Sequence, residues 1–96
     1  MPSSIEGELT VNHTVLEGGT ITLPCVASGL PQPDVYWRKD SKLFKPKSGR
    51  FMFDDNGLTI FRAKLSDHAV YECIAGNEAG ETTKVTSLSV HCELNK

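Results

Sequence analysis

Short runs in which apolar and polar residues alternate recur along this chain, separated by turn signals about every ten residues, while helical periodicity is missing nearly everywhere. Alternation with period two marks strands that bury one face, so the chain reads as all-β. Val11 to Leu16 leads into Glu17-Gly18-Gly19, a turn. Thr20 to Ala27 alternates next, with Ile21, Leu23 and Cys25 on one face, expected to point inward. Ser28 to Asp34 is a loop of residues that fix or free φ, and Val35-Tyr36-Trp37-Arg38 follows with Val35 and Trp37 sharing a face. Arg50 to Phe53 and Leu58 to Phe61 flank Asp54-Asp55-Asn56-Gly57, whose Asn-Gly pair tolerates positive φ and predicts a hairpin. Ala69 to Ala75 and Thr83 to Val90 flank Gly76 to Gly80 and predict a second one. Pro24 cannot donate to a ladder and is expected at an edge or bulge.

The chain has 96 residues, enough for one domain, in which a covalent staple would add noticeably to stability. With 39% hydrophobic and 23% charged residues it reads as an ordinary globular protein rather than a disordered one. No apolar run approaches the roughly 20 residues that span a bilayer. Met1 to Gly7 lacks the basic and apolar regions of a secretory signal, which leaves a cytosolic protein or a module of a longer polypeptide with an added Met. The second is preferred, because the chain starts almost directly on strand-like sequence. A net charge of −2 argues against nucleic-acid binding.

One constellation is far more specific. Cys25, Trp37 and Cys73 stand at a spacing that resembles the immunoglobulin core, where two cysteines join the sheets and a tryptophan packs on the bridge. Asp67-His68-Ala69-Val70-Tyr71-Glu72-Cys73 resembles the family's D-x-A/G-x-Y-x-C signature, with Tyr71 at the tyrosine-corner position. Leu58 and Ile60 precede Asp67 at the family's usual offset, and Ala75, Asn77 and Gly80 match its C-x-A-x-N-x-x-G ending. The chain is similar to the intermediate set of these domains, found in adhesion receptors, matrix proteins and muscle cytoskeletal proteins. The resemblance covers residues 9–91, leaving 1–8 as a leading segment and 92–96 as a trailing one. It implies a Greek-key β-sandwich of two antiparallel sheets, a core around Trp37, Tyr71, Leu58 and Ile60, and an ion pair between Arg50 and Asp67.

The cysteines bear on compartment. If Cys25 and Cys73 are bonded, the bridge closes a loop of about 49 residues, for which the chain-entropy model gives about 4 kcal/mol. The other reading is two buried thiols beside Trp37, as in cytoskeletal relatives in a reducing cytosol. Cys92 is the odd one, which in a secreted protein suggests a partner elsewhere in the parent chain or in another molecule. Asn12-His13-Thr14 is a glycosylation sequon that matters only in the secretory pathway. Together these features favour an extracellular location, with a cytoplasmic cytoskeletal one as the alternative.

Arg38 to Arg50 carries Arg38, Lys39, Lys42, Lys45, Lys47 and Arg50 against Asp40 alone, giving +5, while the remainder has four basic and eleven acidic residues, giving −7. With Arg50 assigned to Asp67, a basic patch of Lys39, Lys42, Lys45 and Lys47 is left to bind sulfated glycan, anionic lipid headgroups, an acidic partner or actin. The bland alternative is an edge that its lysines keep from pairing with other chains. Tyr36 and Phe61 alternate out of the core as interface anchors, and a strand edge near 42–47 or at the first strand could accept a partner strand. Catalysis is not expected, since consecutive Ser66, Asp67 and His68 cannot form a triad. No cofactor or metal is expected either: His91-Cys92 lacks the four spaced ligands of a zinc site, and Asp54-Asp55-Asn56 lacks the spread of a calcium loop. The expected function is a non-catalytic protein-interaction module of a multidomain extracellular adhesion, receptor or matrix protein. The alternative is an intracellular module of a titin-, myotilin- or palladin-like protein.

Overall fold

The structure, a computed structural model, describes residues 1–92. Its strands are β1 (Ser4–Ile5), β2 (Thr10–Leu16), β3 (Ile21–Pro24), β4 (Ala27–Ser28), β5 (Asp34–Lys39), β6 (Lys42–Leu43), β7 (Phe51–Asp54), β8 (Gly57–Ile60), β9 (Ala69–Asn77) and β10 (Gly80–His91), with a short 3-10 helix at Leu65–Asp67. Three strands in the order β3-β8-β7 form one layer, and five in the order β2-β10-β9-β5-β6 form the other. Register explains how alternation becomes a core. Leu23 pairs with Leu58 and Ile21 with Ile60 in one layer, while Trp37 pairs with Cys73 in the other. The facing rows bury Leu23, Leu58, Ile60, Tyr71 and Leu88 almost wholly, and Trp37 to 5% exposure. Each of the aliphatic side chains among them contributes about 1.5–3 kcal/mol of hydrophobic stabilisation. The Cys25–Cys73 disulfide joins the two layers within this cluster, with 6.5 Å between the Cα atoms.

The all-β sandwich agrees with the sequence reading, with one correction to its pairing. β2 runs parallel to β10, from Thr10 opposite Val85 to Leu16 opposite His91, so the larger sheet is mixed rather than purely antiparallel. The cause is that the start of the chain is divided between the layers. β1 pairs antiparallel with β4, and the Glu6 amide donates to the Val26 carbonyl. The chain then turns at Gly7, with φ of +80°, and comes alongside β10 in the same direction. Residues 1–8 are therefore more than a lead-in. Ile5 is buried in the core, and the Thr82 hydroxyl donates to the Ser3 carbonyl at 2.7 Å. Of the trailing segment 92–96, residues 93–96 lie outside the described residues.

Pro24 ends β3, an edge strand of its layer, where no neighbour awaits its missing N–H. Opposite it, the β7–β8 hairpin is held by the Asp54 carboxylate, which accepts from the Asn56 and Gly57 amides at 2.9 and 3.2 Å. Of the Asn-Gly pair only Gly57 has positive φ, at +137°, so a side chain rather than a left-handed asparagine makes this turn.

Candidate interaction surface

One end of the sandwich is closed by a polar network. Arg50, just before β7, donates to Asp67 through Nη1 to Oδ2 at 2.9 Å and Nη2 to Oδ1 at 3.2 Å, and also to the Phe61 and Arg62 carbonyls. The Lys64 amide donates to Asp67 Oδ2 at 2.8 Å. Asp67 is 1% exposed. Burial alone would raise its pKa, but the Arg50 hydrogen bonds and the Lys64 amide outweigh it and hold the carboxyl below its ordinary value. The Tyr71 hydroxyl donates to the Asp67 carbonyl at 2.7 Å. Burial pushes its pKa well above the ordinary range, with the Asp67 and Asp40 charges adding to the shift.

A groove of about 410 Å³ lies between β5–β6 and β7, lined by Val35, Trp37, Leu43, Phe44, Pro46 and Phe53 among others. Phe44 organises it. Its ring meets Phe51 edge-on at 5.2 Å, Tyr71 at 5.7 Å and Phe53 at 6.2 Å, and Phe53 in turn tilts against Trp37 at 6.3 Å. Leu43 remains 58% exposed, Val35 45% and Phe53 43%, so the groove is apolar and open to solvent. Strand alternation puts Val35 on the face of Trp37, but its position at the mouth leaves it uncovered. Sequence reading missed Leu43, Phe44 and Phe53 as surface builders. The available signal was an apolar Leu-Phe pair set inside the most basic stretch of the chain.

The lysines divide. Lys39 is half-buried, with Nζ donating to the Ser66 carbonyl at 3.0 Å and lying 5.8 Å from the Phe44 ring, so it departs from the expected exposed patch. Lys42, Lys45 and Lys47 are exposed, and Lys45 lines the groove. Among the described residues the salt bridge is Arg50–Asp67, which leaves these three ammonium groups without an acidic partner. The arrangement can seat an apolar side chain of a partner whose neighbouring residues are acidic, since positive charge at a rim steers and selects such partners.

The other residues singled out by sequence are placed as follows. Tyr36 is half-buried on the outer sheet face, with the Arg38 guanidinium 5.7 Å from its ring centre, and Phe61 is also half-buried. Asp67 is engaged by Arg50, while His68 Nδ1 accepts from the Val90 amide at 3.2 Å, so both groups beside Ser66 have structural partners. Asn12 is exposed on β2. Exposed Cys92 lies 3.4 Å from Glu17 Oε1, and that contact raises its pKa. Among the described residues no group of three or more His, Cys, Asp or Glu is placed to hold a metal ion.

A two-layer sandwich bridged by Cys25–Cys73, with a tryptophan on the bridge and a tyrosine bonded four residues upstream, defines an immunoglobulin-type domain. Residues 4–90 match the immunoglobulin I-set domain, and the chain belongs to that family. It is 40% identical to hemicentin-1 of Homo sapiens over 89 residues, which are 92% of this chain and 2% of that protein. It is 45% identical to Roundabout homolog 1 of Homo sapiens over 74 residues, 76% of this chain and 4% of the relative. Among solved structures, one from the titin M10–obscurin-like 1 immunoglobulin complex is 28% identical with a TM-score of 0.83, covering 98% of each chain. The chain thus spans a few per cent of the curated relatives it matches.

Proposed function

We propose that this domain is a non-catalytic protein-interaction module of a multidomain extracellular adhesion, receptor or matrix protein, and that its binding side runs along β5, β6 and β7. The observation that carries the surface is the coincidence of an open apolar groove with Lys45 in its lining and exposed Lys42 and Lys47 next in sequence to the lining residues Leu43 and Pro46. Contiguous exposed apolar surface rimmed by charge is unusual on a monomer unless something docks there. The Cys25–Cys73 bridge supports the location, because such bonds persist in oxidising compartments. So does similarity to extracellular adhesion and receptor proteins. The titin likeness supports the competing cytoskeletal reading, in which the same lysines would meet actin.

Non-reducing peptide mapping by mass spectrometry, on the protein from its natural source, separates the two. The expected result is a linked Cys25–Cys73 peptide. Free thiols at both positions would sink the extracellular reading and direct the search to actin cosedimentation.

A further inference from the structure

We propose that Asn12 carries an N-linked oligosaccharide, and that this oligosaccharide keeps the open edge of β2 from pairing with other chains. The inference rests on the extracellular reading, since only a chain entering the secretory pathway meets the transferase. Asn12-His13-Thr14 supplies the acceptor sequence with a middle residue other than proline. Burial alternates along β2. Val11, His13 and Val15 are half-buried, whereas Thr10, Asn12, Thr14 and Leu16 are exposed. The acceptor amide and the hydroxyl two residues on therefore leave the same solvent face of the strand, where a bulky group displaces no core. In the transfer, the sugar C1 leaves a lipid-linked pyrophosphate donor and bonds to Asn12 Nδ2. The C1–O bond breaks, Nδ2 gives up one proton, and the lipid pyrophosphate departs.

The second observation concerns the edge itself. Among the described residues β2 has β10 on one side and no strand on the other. At seven residues it is longer than the edge strands β3 and β7, with four each, and β6, with two. Free amides and carbonyls along such an edge are a template for a further strand, and proteins blunt them with lysine, proline or shortness. β3 ends in Pro24 and β6 carries Lys42, but Thr10–Leu16 contains no Lys, Arg or Pro. The row across the sheet from Asn12 is uncharged as well, with Ser87 on β10 and then Val70 on β9, the latter 42% exposed. An oligosaccharide rooted at the middle of β2 sweeps the space an incoming strand needs. It leaves the groove open, since β6 lies at the opposite edge of the same sheet.

The test compares the domain secreted from animal cells behind a heterologous leader with N12Q, T14A and the acceptor-preserving T14S. The unsubstituted domain and T14S lose mass on treatment with peptide-N-glycosidase and sediment as monomers. N12Q and T14A show no such loss and sediment as concentration-dependent dimers. A secreted domain that is bare at Asn12 overturns the proposal and leaves the extracellular reading untouched, because the added leader made delivery independent of the native address. A glycosylated domain whose N12Q and T14A forms both stay monomeric overturns the guarding role. Failure of the extracellular reading registers separately, as free Cys25 and Cys73 in the natural-source protein.

Discussion

Replacing Arg50 with methionine keeps the apolar stem and removes the guanidinium, with its bonds to Asp67 and to the Phe61 and Arg62 carbonyls. The Asp67 carboxylate, 1% exposed in the unsubstituted domain, would retain the Lys64 amide at 2.8 Å but lose both guanidinium bonds, at 2.9 and 3.2 Å. Breaking a buried pair from one side costs about 3–5 kcal/mol, because the remaining charge is neither solvated nor compensated. That is a large share of a typical net stability of about 5–15 kcal/mol. R50M should therefore show a much lower urea midpoint at an unchanged slope. The D67N variant tests the same network through pH. In the unsubstituted domain the Asp67 carboxyl is held below the ordinary value when folded, so the stability it contributes is complete above the unfolded pKa, about 3.9, and is lost as pH falls through the folded value. The unsubstituted domain should lose stability below about pH 4 more steeply than D67N. In the double variant the two costs should fall short of their sum, as for groups in one network. An R50M midpoint indistinguishable from the parent, or parallel acid profiles, would refute this reasoning.

Two further outcomes follow from geometry. A Cβ at Gly57 would overlap the Leu23 carbonyl oxygen and lie 2.8 Å from the Cys25 nitrogen, on a backbone at φ of +137°, so G57A should cost more than about 3 kcal/mol in urea unfolding. G49A, whose Cβ meets nothing within 4 Å, should stay within about 0.5 kcal/mol of the parent, and equal costs would discredit the contact. Charge reversal at Lys42, Lys45 and Lys47 should abolish salt-dependent retention on heparin, used as a polyanionic probe, without shifting the melting temperature. Unchanged retention would remove the basic rim from the binding surface.

The sandwich was legible because its signals are local or fixed in spacing. Alternation around Leu23 and Leu58 follows from the pleat, and the Cys25, Trp37, Tyr71 and Cys73 pattern reflects packing between layers. What escaped depends on register and partners. A two-residue strand such as β1 has no period to detect, although Ile5 is core. Alternation along β2 is the same for parallel and antiparallel pairing, so the mixed sheet left no trace in sequence. Lys39 and Lys42 look alike in a basic run, and only the placement of the Ser66 carbonyl separates a tethered ammonium from a free one. The groove was hidden for a similar reason. Leu43, Phe44 and Phe53 come from two segments that meet only when both layers have formed.

The parallel pairing of β2 with β10 has a mechanical consequence. β2 is entered at Thr10 and β10 is left at His91, and because the two run the same way these points lie at opposite ends of their ladder. Tension applied between Thr10 and His91 is therefore directed along the strands, and the seven paired positions from Thr10–Val85 to Leu16–His91 bear it together in shear. An antiparallel partner in the same place would present its bonds to the load one at a time, like the teeth of a zip. A domain joined this way resists extension through a ladder whose rungs must yield in concert.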